Sequence, residues 1–257
     1  RSPSRGLGDV YKRQVCCYFN PCNYVSKYFN FLNFWQDITK TDGVDIYVIE
    51  SYDNNSKFRL SKNIKNCESV FCDHTYWQKE QLLNILINKY KHKYKYIGWI
   101  DGDVKFVNFN WLDNIKVKLQ SHSMVQIASD VEKETNFKQS VNKNHTIAYK
   151  LSQHCELNSE ILHYRQGEPG YGFVYTTSLF SESTYPLYQK AICGSGDFLN
   201  IIGYLEFPNF ENYINNDRFF QRQPHFMNDF IDWRKHNTLL YKAVSYTHLR
   251  AHETDSY

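Results

Sequence analysis

Two aspartates separated by one residue, Asp101 and Asp103, follow a short apolar run at residues 96–100. The run predicts a buried strand, and in open α/β sheets ligands bind just outside the carboxyl ends of the strands. Carboxylates at such a position suit Mn²⁺ or Mg²⁺, and either ion can neutralise a departing diphosphate. The pattern therefore predicts a divalent-cation site at Asp101 and Asp103. A lone D-x-D pair is also common at a solvated strand end.

Glycine-rich segments in the second half of the chain form another candidate site. Residues 167–172 precede a β-rich run at residues 173–177, and Gly194-Ser195-Gly196-Asp197 follows further along. A serine nucleophile elbow would require glycine at position 193, where cysteine stands. Neither segment matches a P-loop or a dinucleotide fingerprint. Asp197 is the candidate reactive group, and its alternative role is the N-cap of a helix running toward Tyr204.

The elements that must position these residues alternate between strand and helix. Apolar runs predict strands, and apolar residues at helical spacing predict helices. The predicted strands are 15–19, 44–49, 70–71, 96–100, 124–128 and 173–177, and the predicted helices are 24–37, 77–90 and one opening at 108–112. This alternation predicts an α/β fold with a mainly parallel sheet and helices on both faces. Trp99 and Trp111 are expected in its core.

Both ends of the chain differ in composition from the middle. Residues 1–14 and 244–257 lack the Tyr, Asn, Lys, Phe and Ile bias of the rest and resemble translated sequencing-adapter read-through. These two stretches are therefore expected to lie outside the natural protein. A single domain at residues 15–243 is expected, truncated at its C-terminal side.

Composition and charge exclude several classes of function. The whole chain carries a formal net charge of +3, and its basic residues are scattered instead of forming a stripe, so no nucleic-acid partner is expected. No apolar run reaches the length of a transmembrane helix. Seven cysteines without a C-x-x-C pair favour reduced thiols and a cytoplasmic location.

Taken in order along the chain, five segments resemble a GT-A-fold glycosyltransferase of the family 2-like kind found in bacteria and large viruses. The resemblance covers most of residues 15–243. The segments are Phe19-Asn20-Pro21, Glu50, the stretch 77–84, the stretch 99–104 with Phe106 and Trp111, and the region from Gly170 to Asp197.

The resemblance implies a nucleotide-sugar donor, with a UDP-sugar favoured, and a site for it built from several strand ends. Asn20, Pro21 and Glu50 would hold the base and ribose, and Lys79 and Asn84 would make polar contacts to the nucleotide. Asp103 would bind the metal directly, and Asp101 would share the ribose or the metal. The alternative for Lys79 is a solvated residue in the first helical turn, and for Glu80 a favourable charge at the helix N-terminus.

The resemblance also implies an inverting reaction on a glycan or glycoconjugate acceptor. Asp197 would be the general base that removes a proton from the attacking hydroxyl. Glycines would let the backbone approach the acceptor sugar closely, at Gly170, Gly172 and Gly196. The chain departs from the family because Phe198 follows Asp197, where an acidic pair is common. Members of the family also have a metal-binding histidine near the C-terminus. His225 and His236 are the nearby histidines, and neither is assigned that role.

Two other functions stay open from the sequence. A sugar-nucleotide pyrophosphorylase would need a glycine-rich, basic loop after the first strand, and residues 20–24 do not provide one. A non-catalytic protein that binds carbohydrate or nucleotide on the same fold would keep ligand binding after Asp103→Ala. The fold alone does not decide between these functions and transfer.

Overall fold

A six-stranded sheet organises the protein, in a computed structural model that describes residues 12–73, 76–108, 110–134, 140–153, 167–180, 182–191, 196–204 and 227–234. The strands are β1 (Lys12–Phe19), β2 (Asp45–Tyr52), β3 (Cys67–Phe71), β4 (Tyr96–Ile100), β5 (Met124–Gln126), β6 (Asp130–Glu134), β7 (Ser140–His145) and β8 (Gly172–Thr176). The helices are α1 (Val25–Ile38), α2 (Lys79–Tyr90), α3 (Trp111–Lys118), α4 (Ile147–Ser152) and α5 (Gly196–Tyr204).

The strand order in the sheet is β3-β2-β1-β4-β8-β5. Strands β3, β2, β1 and β4 run parallel, so their carboxyl ends share one edge of the sheet. Strand β8 runs antiparallel between β4 and β5, with Ile100 opposite Gly172. This pairing brings the glycine-rich segment before β8 to the carboxyl end of β4, where Asp101 follows.

Side chains alternate between the two faces of the sheet, and each face packs against helices. Val15 and Ile97 lie in the hydrophobic cluster that contains α2 and α5 residues. Cys16 and Ile100 lie in the cluster on the other face, with α1 and α3 residues. The predicted α/β fold, with a mainly parallel sheet and helices on both faces, is therefore confirmed. The core positions expected for Trp99 and Trp111 are also confirmed, since these residues are 1% and 5% exposed.

Two parts of the fold have no counterpart in the sequence prediction. Strands β6 and β7 pair as a separate antiparallel ribbon, and α4 follows β7 directly. The two strands are mostly polar, so they lack the apolar alternation that marks a half-buried strand.

Strand β1 begins earlier than expected, at Lys12, within the stretch predicted to be adapter read-through. Gln14, the last residue of that stretch, is 1% exposed and pairs in register with Ile46. The assignment of residues 1–14 and 244–257 stays a prediction. Across the described ranges, no helix is both long and apolar enough to cross a membrane.

Candidate active site

A buried lysine joins two of the predicted site aspartates. Lys79, the first residue of α2, is 4% exposed. Its Nζ lies 2.7 Å from Asp101 Oδ1, at the end of β4, and 2.8 Å from Asp197 Oδ1, in the first turn of α5. The ammonium also lies 4.0 Å from the centroid of the Trp99 ring, a favourable cation–π distance. Three elements that are distant in sequence thus meet at one ammonium group.

The charges around Lys79 determine its protonation state. Burial opposes the charged form, but the carboxylates of Asp101, Asp197 and Glu80 outweigh it and hold the pKa of Lys79 well above its ordinary value. Burial also raises the pKa of Asp197, with the charge of Asp101 adding to the effect and that of Lys79 opposing it. The lysine is therefore cationic at neutral pH and is the main group that favours ionised Asp197.

The backbone around Tyr171 holds the Asp101 carboxylate in place. The Asp101 N–H donates to the Tyr171 carbonyl oxygen at 3.0 Å, and Asp101 Oδ2 accepts from the Tyr171 N–H at 3.0 Å. A Cβ at Gly170 would lie 3.2 Å from Asp197 Oδ2 and 3.6 Å from Asp101 Oδ2. Gly170 therefore passes close to both carboxylates because it has no side chain.

Glu80 is a buried acid beside this cluster. From the sequence, its alternative role is a favourable charge at the helix N-terminus. It is 2% exposed, and Trp77 Nε1 donates to its Oε2 at 3.1 Å. Its Oε1 has no donor among the described residues. A Cβ at Gly196 would lie 2.0 Å from that oxygen, so α5 begins directly against it. Burial raises the pKa of Glu80 to about 7, against the opposing charge of Lys79.

Asp103 lies on the solvent side of the same strand end. It is exposed, its own backbone N–H donates to its carboxylate, and the Lys79 ammonium pairs with Asp101 instead. Lys27 on α1 lies close enough for the charges of Asp103 and Asp101 to act on it, with its Nζ 4.4 Å from the Phe19 ring centroid. No sequence pattern points to Lys27, because its helix begins far from the D-x-D pair along the chain.

The remaining predicted site residues do not join the Lys79 cluster. Asn20 closes the turn into α1, since its Oδ1 accepts from the Tyr24 N–H at 2.9 Å, and Pro21 is the next residue of that turn. Asn84 donates to the Leu187 carbonyl at 2.7 Å and accepts from the Leu187 N–H at 2.8 Å. Gly172 lies within β8. Gly194, Ser195, His225 and His236 are outside the described residues.

Glu50 forms a second polar network at the end of β2. It is 1% exposed, and each carboxylate oxygen has donors. The donors are Arg59 Nε at 2.8 Å, Ser61 Oγ at 2.5 Å, Ser69 Oγ at 2.8 Å and the Leu60 N–H at 2.6 Å. Burial opposes ionisation, but the hydrogen bonds outweigh it and lower the pKa of Glu50. Its predicted contact with the nucleotide stays a prediction.

This network makes the stability of the protein depend on Glu50 below neutral pH. A folded-state pKa below the unfolded value contributes stability that is present above the unfolded pKa and is lost as pH falls through the folded pKa. We expect Glu50→Gln to lower the free energy of unfolding by about 2 kcal/mol at pH 7, the usual scale for hydrogen bonds to a charged group. The deficit should narrow below about pH 4. Urea unfolding of both proteins across pH measures it, and a constant deficit would contradict the assignment.

The carboxylates near the end of β4 are the candidate ligands for a divalent cation. Asp101 and Asp103 follow the same strand, and together with Asp197 their carboxylates outnumber the buried ammonium of Lys79. Within the described ranges, no group of three His, Cys, Asp or Glu side chains converges on a cation position. Two carboxylates suit Mg²⁺, which takes its remaining ligands from water and substrate phosphates. The residues therefore fit a cation that is held jointly with a phosphorylated ligand.

Similarity to known proteins is limited to distant structural likeness. No protein-family model matches the chain, and no curated protein matches it. The structure of S. aureus TarS 1–349 is 11% identical with a TM-score of 0.44, and the match covers 75% of this chain and 54% of that one. The chain thus spans about half of that structure's length.

Two structures of 4-diphosphocytidyl-2C-methyl-D-erythritol synthase are also similar. The one from Anaerococcus prevotii is 9% identical with a TM-score of 0.37, and the match covers 67% of this chain and 72% of that one. The other is 8% identical with a TM-score of 0.38, over 70% of this chain and 81% of that one. Likeness at this level carries no argument about function, so the function must be argued from the site.

Proposed function

We propose that the protein is a GT-A-type inverting glycosyltransferase of the family 2-like kind, which moves a sugar from a nucleotide-sugar donor to a hydroxyl of a glycan or glycoconjugate. The observation that carries the proposal is the placement of Asp197 beside Asp101, through their shared ion pairs with Lys79. An acid from the glycine-rich region and an acid from the D-x-D pair thereby contact the same ammonium, beside the carboxyl end of β4.

In this proposal Asp197 is the general base. Its carboxylate takes the proton from the acceptor hydroxyl as the oxygen attacks the anomeric carbon and the bond to the nucleoside diphosphate breaks. The ammonium of Lys79 favours the ionised form of Asp197 that this step needs. When bound, Mn²⁺ or Mg²⁺ at Asp103 and Asp101 would offset the charge of the leaving diphosphate.

The donor and acceptor sides follow from the same arrangement. Asn20 and Pro21 follow β1, and Glu50 lies two residues before the end of β2, so we assign the nucleotide to that edge, with a UDP-sugar favoured. Gly170 and Gly196 lie beside Asp197, which supports an acceptor position there. The cytoplasmic location expected from the cysteines is part of the proposal, and none of the five cysteines that the structure describes forms a disulfide.

A nucleotide-dependent shift in thermal unfolding tests the proposal. We expect one of UDP, GDP, CDP or TDP to raise the unfolding midpoint of the full chain when Mn²⁺ is present, because a ligand that binds the folded state stabilises it. Each kcal/mol of stabilisation should raise the midpoint by about 2–4 °C. Asp103→Ala should abolish the response. Asp113→Ala, at a surface aspartate that is 70% exposed on α3, should retain it.

Release of the same nucleotide from its sugar conjugate then separates an enzyme from a binding protein. The transferase proposal requires nucleotide release that increases with a glycan acceptor. Nucleotide binding without any turnover would instead support a non-catalytic binding protein. An unfolding midpoint that none of the four nucleotides raises, with or without Mn²⁺, would contradict the proposed donor class.

A further inference from the structure

Lys79 places its ammonium where it pairs with both Asp101 and Asp197. Its Nζ contacts Asp101 Oδ1 at 2.7 Å and Asp197 at 2.8 Å to Oδ1 and 3.0 Å to Oδ2. The side chain is 4% exposed and enters from the start of α2, beneath Trp99. A buried lysine so placed cannot move into solvent without leaving two carboxylates unpaired, which is costly.

The same contact limits what Asp101 has left to offer. Its Oδ1 is paired with the ammonium, and its Oδ2 accepts from the Tyr171 N–H at 3.0 Å. The Asp103 carboxylate accepts from its own backbone N–H, and the residue is exposed. The two members of the D-x-D pair are therefore not equivalent, because Asp103 is accessible while Asp101 is already neutralised from within the protein.

We propose that Lys79 is a resident counter-ion that prevents Asp101 and Asp103 from holding a divalent cation tightly until a diphosphate is present. This inference deepens the proposed function and rests on its assignment of Asp101 and Asp103 as cation ligands. Lys79 is thus a positioning residue that determines when the cation binds, in addition to its ion pair with Asp197.

The physical reason is the repulsion between an ammonium and a divalent cation that share a carboxylate. At an effective dielectric constant of about 20, two like unit charges about 4 Å apart repel by several times the thermal energy, and a divalent ion doubles that repulsion. Asp101 attracts both cations, so each weakens the hold of the other. A diphosphate adds negative charge that attracts both the Lys79 ammonium and the divalent ion, so it offsets the repulsion between them.

The consequence is a cation that enters with the donor. The free protein avoids a permanently bound metal, and the charge of Asp101 and Asp197 stays partly offset by a group that cannot diffuse away. Asp197 keeps its ion pair with Lys79 throughout, which separates the base from the cation ligands. Without the lysine charge, the excess of carboxylates would attract Mn²⁺ directly.

Binding of Mn²⁺ alone to the full chain tests the inference without any nucleotide or turnover. Calorimetric titration would compare the wild type with Lys79→Gln, whose amide can still donate to both aspartates but carries no charge. We expect Lys79→Gln to bind Mn²⁺ at least about tenfold more tightly than the wild type. Lys79→Arg keeps the charge and should bind as weakly as the wild type. Lys40→Gln, at an exposed surface ion pair, is the matched control and should not differ.

Two results would overturn the inference. One is a folded Lys79→Gln protein whose Mn²⁺ affinity equals that of the wild type, or that binds no Mn²⁺. The other is a wild type that binds Mn²⁺ alone with a dissociation constant near 1 μM, which contradicts the inference even if the variants fail to fold. A failed nucleotide panel would contradict only the donor class, because the Mn²⁺ titration contains no nucleotide.

Discussion

Replacing Asp197 with asparagine should lower kcat for sugar transfer by about 10²–10⁴-fold, the usual contribution of a general base. Asparagine keeps the size of the side chain and its hydrogen-bonding oxygen but cannot accept the proton of the acceptor hydroxyl. Lys79 retains its ion pair with Asp101 at 2.7 Å, so the donor side should remain intact. The KM for the nucleotide sugar should therefore change by less than about threefold, because the lost interaction acts in the transition state.

Steady-state kinetics over a range of donor and acceptor concentrations measure this effect. Asp113→Asn is the matched control, since Asp113 is a surface aspartate on α3 whose side chain is 70% exposed. Its kinetics should equal those of the wild type. The thermal unfolding midpoint of Asp197→Asn distinguishes loss of the general base from loss of structure. If only the base is lost, the midpoint should stay close to that of the wild type. A large fall in donor affinity with unchanged kcat would contradict the assignment of Asp197 as the base.

The strand that carries the D-x-D pair could be predicted because its physical signal is local. Residues 96–100 are buried at every position, so an uninterrupted apolar run marks the strand, and Asp101 marks its end. Helix α2 carries an apolar face that includes Leu82, Leu83, Leu86 and Ile87, and the spacing predicts it to within two residues of its start. Burial of neighbouring residues is enough for both predictions.

The contacts within the candidate site could not be predicted in the same way. Lys79 and Asp197 are 118 positions apart, and no periodic pattern encodes a contact at that separation. A position in the first turn of a helix is compatible both with a solvated Lys79 and with a Lys79 inside the site. The structure places it at 4% exposure because α2 begins where β4 ends, which is a property of the packed sheet and helix.

The contacts of other buried polar side chains could not be predicted from the sequence either. Glu50 and Asn84 lie at points where the resemblance implies nucleotide contacts, yet each bonds extensively to protein groups. A sequence shows the residue type but not whether its hydrogen bonds are made internally. The antiparallel direction of β8 is hidden for a related reason, since an apolar strand looks the same in either direction.

Gly172→Ala should reduce the stability of the protein by about 3 kcal/mol, because it adds overpacking to backbone strain. Gly172 has φ of +151°, a conformation that L side chains rarely adopt. A Cβ there would lie 2.5 Å from the Trp99 carbonyl oxygen and 3.1 Å from Ile100 Cα, both backbone atoms of β4. A flexible side chain can rotate away from a clash, but the backbone of β4 cannot. Strands β4 and β8 must therefore separate.

The separation would occur where Ile100 pairs with Gly172, one residue before Asp101. Thermal unfolding should show a midpoint lowered by roughly 6–12 °C, at about 2–4 °C per kcal/mol for a domain of this size. Gly43→Ala is the matched control, since Gly43 also has positive φ (+76°) but a Cβ there would meet only Leu112 Cδ2, at 4.0 Å. Its loss should be about 1 kcal/mol, from backbone strain alone. Equal losses for the two variants would mean that strain, and not the approach of β8 to β4, explains the glycine at position 172.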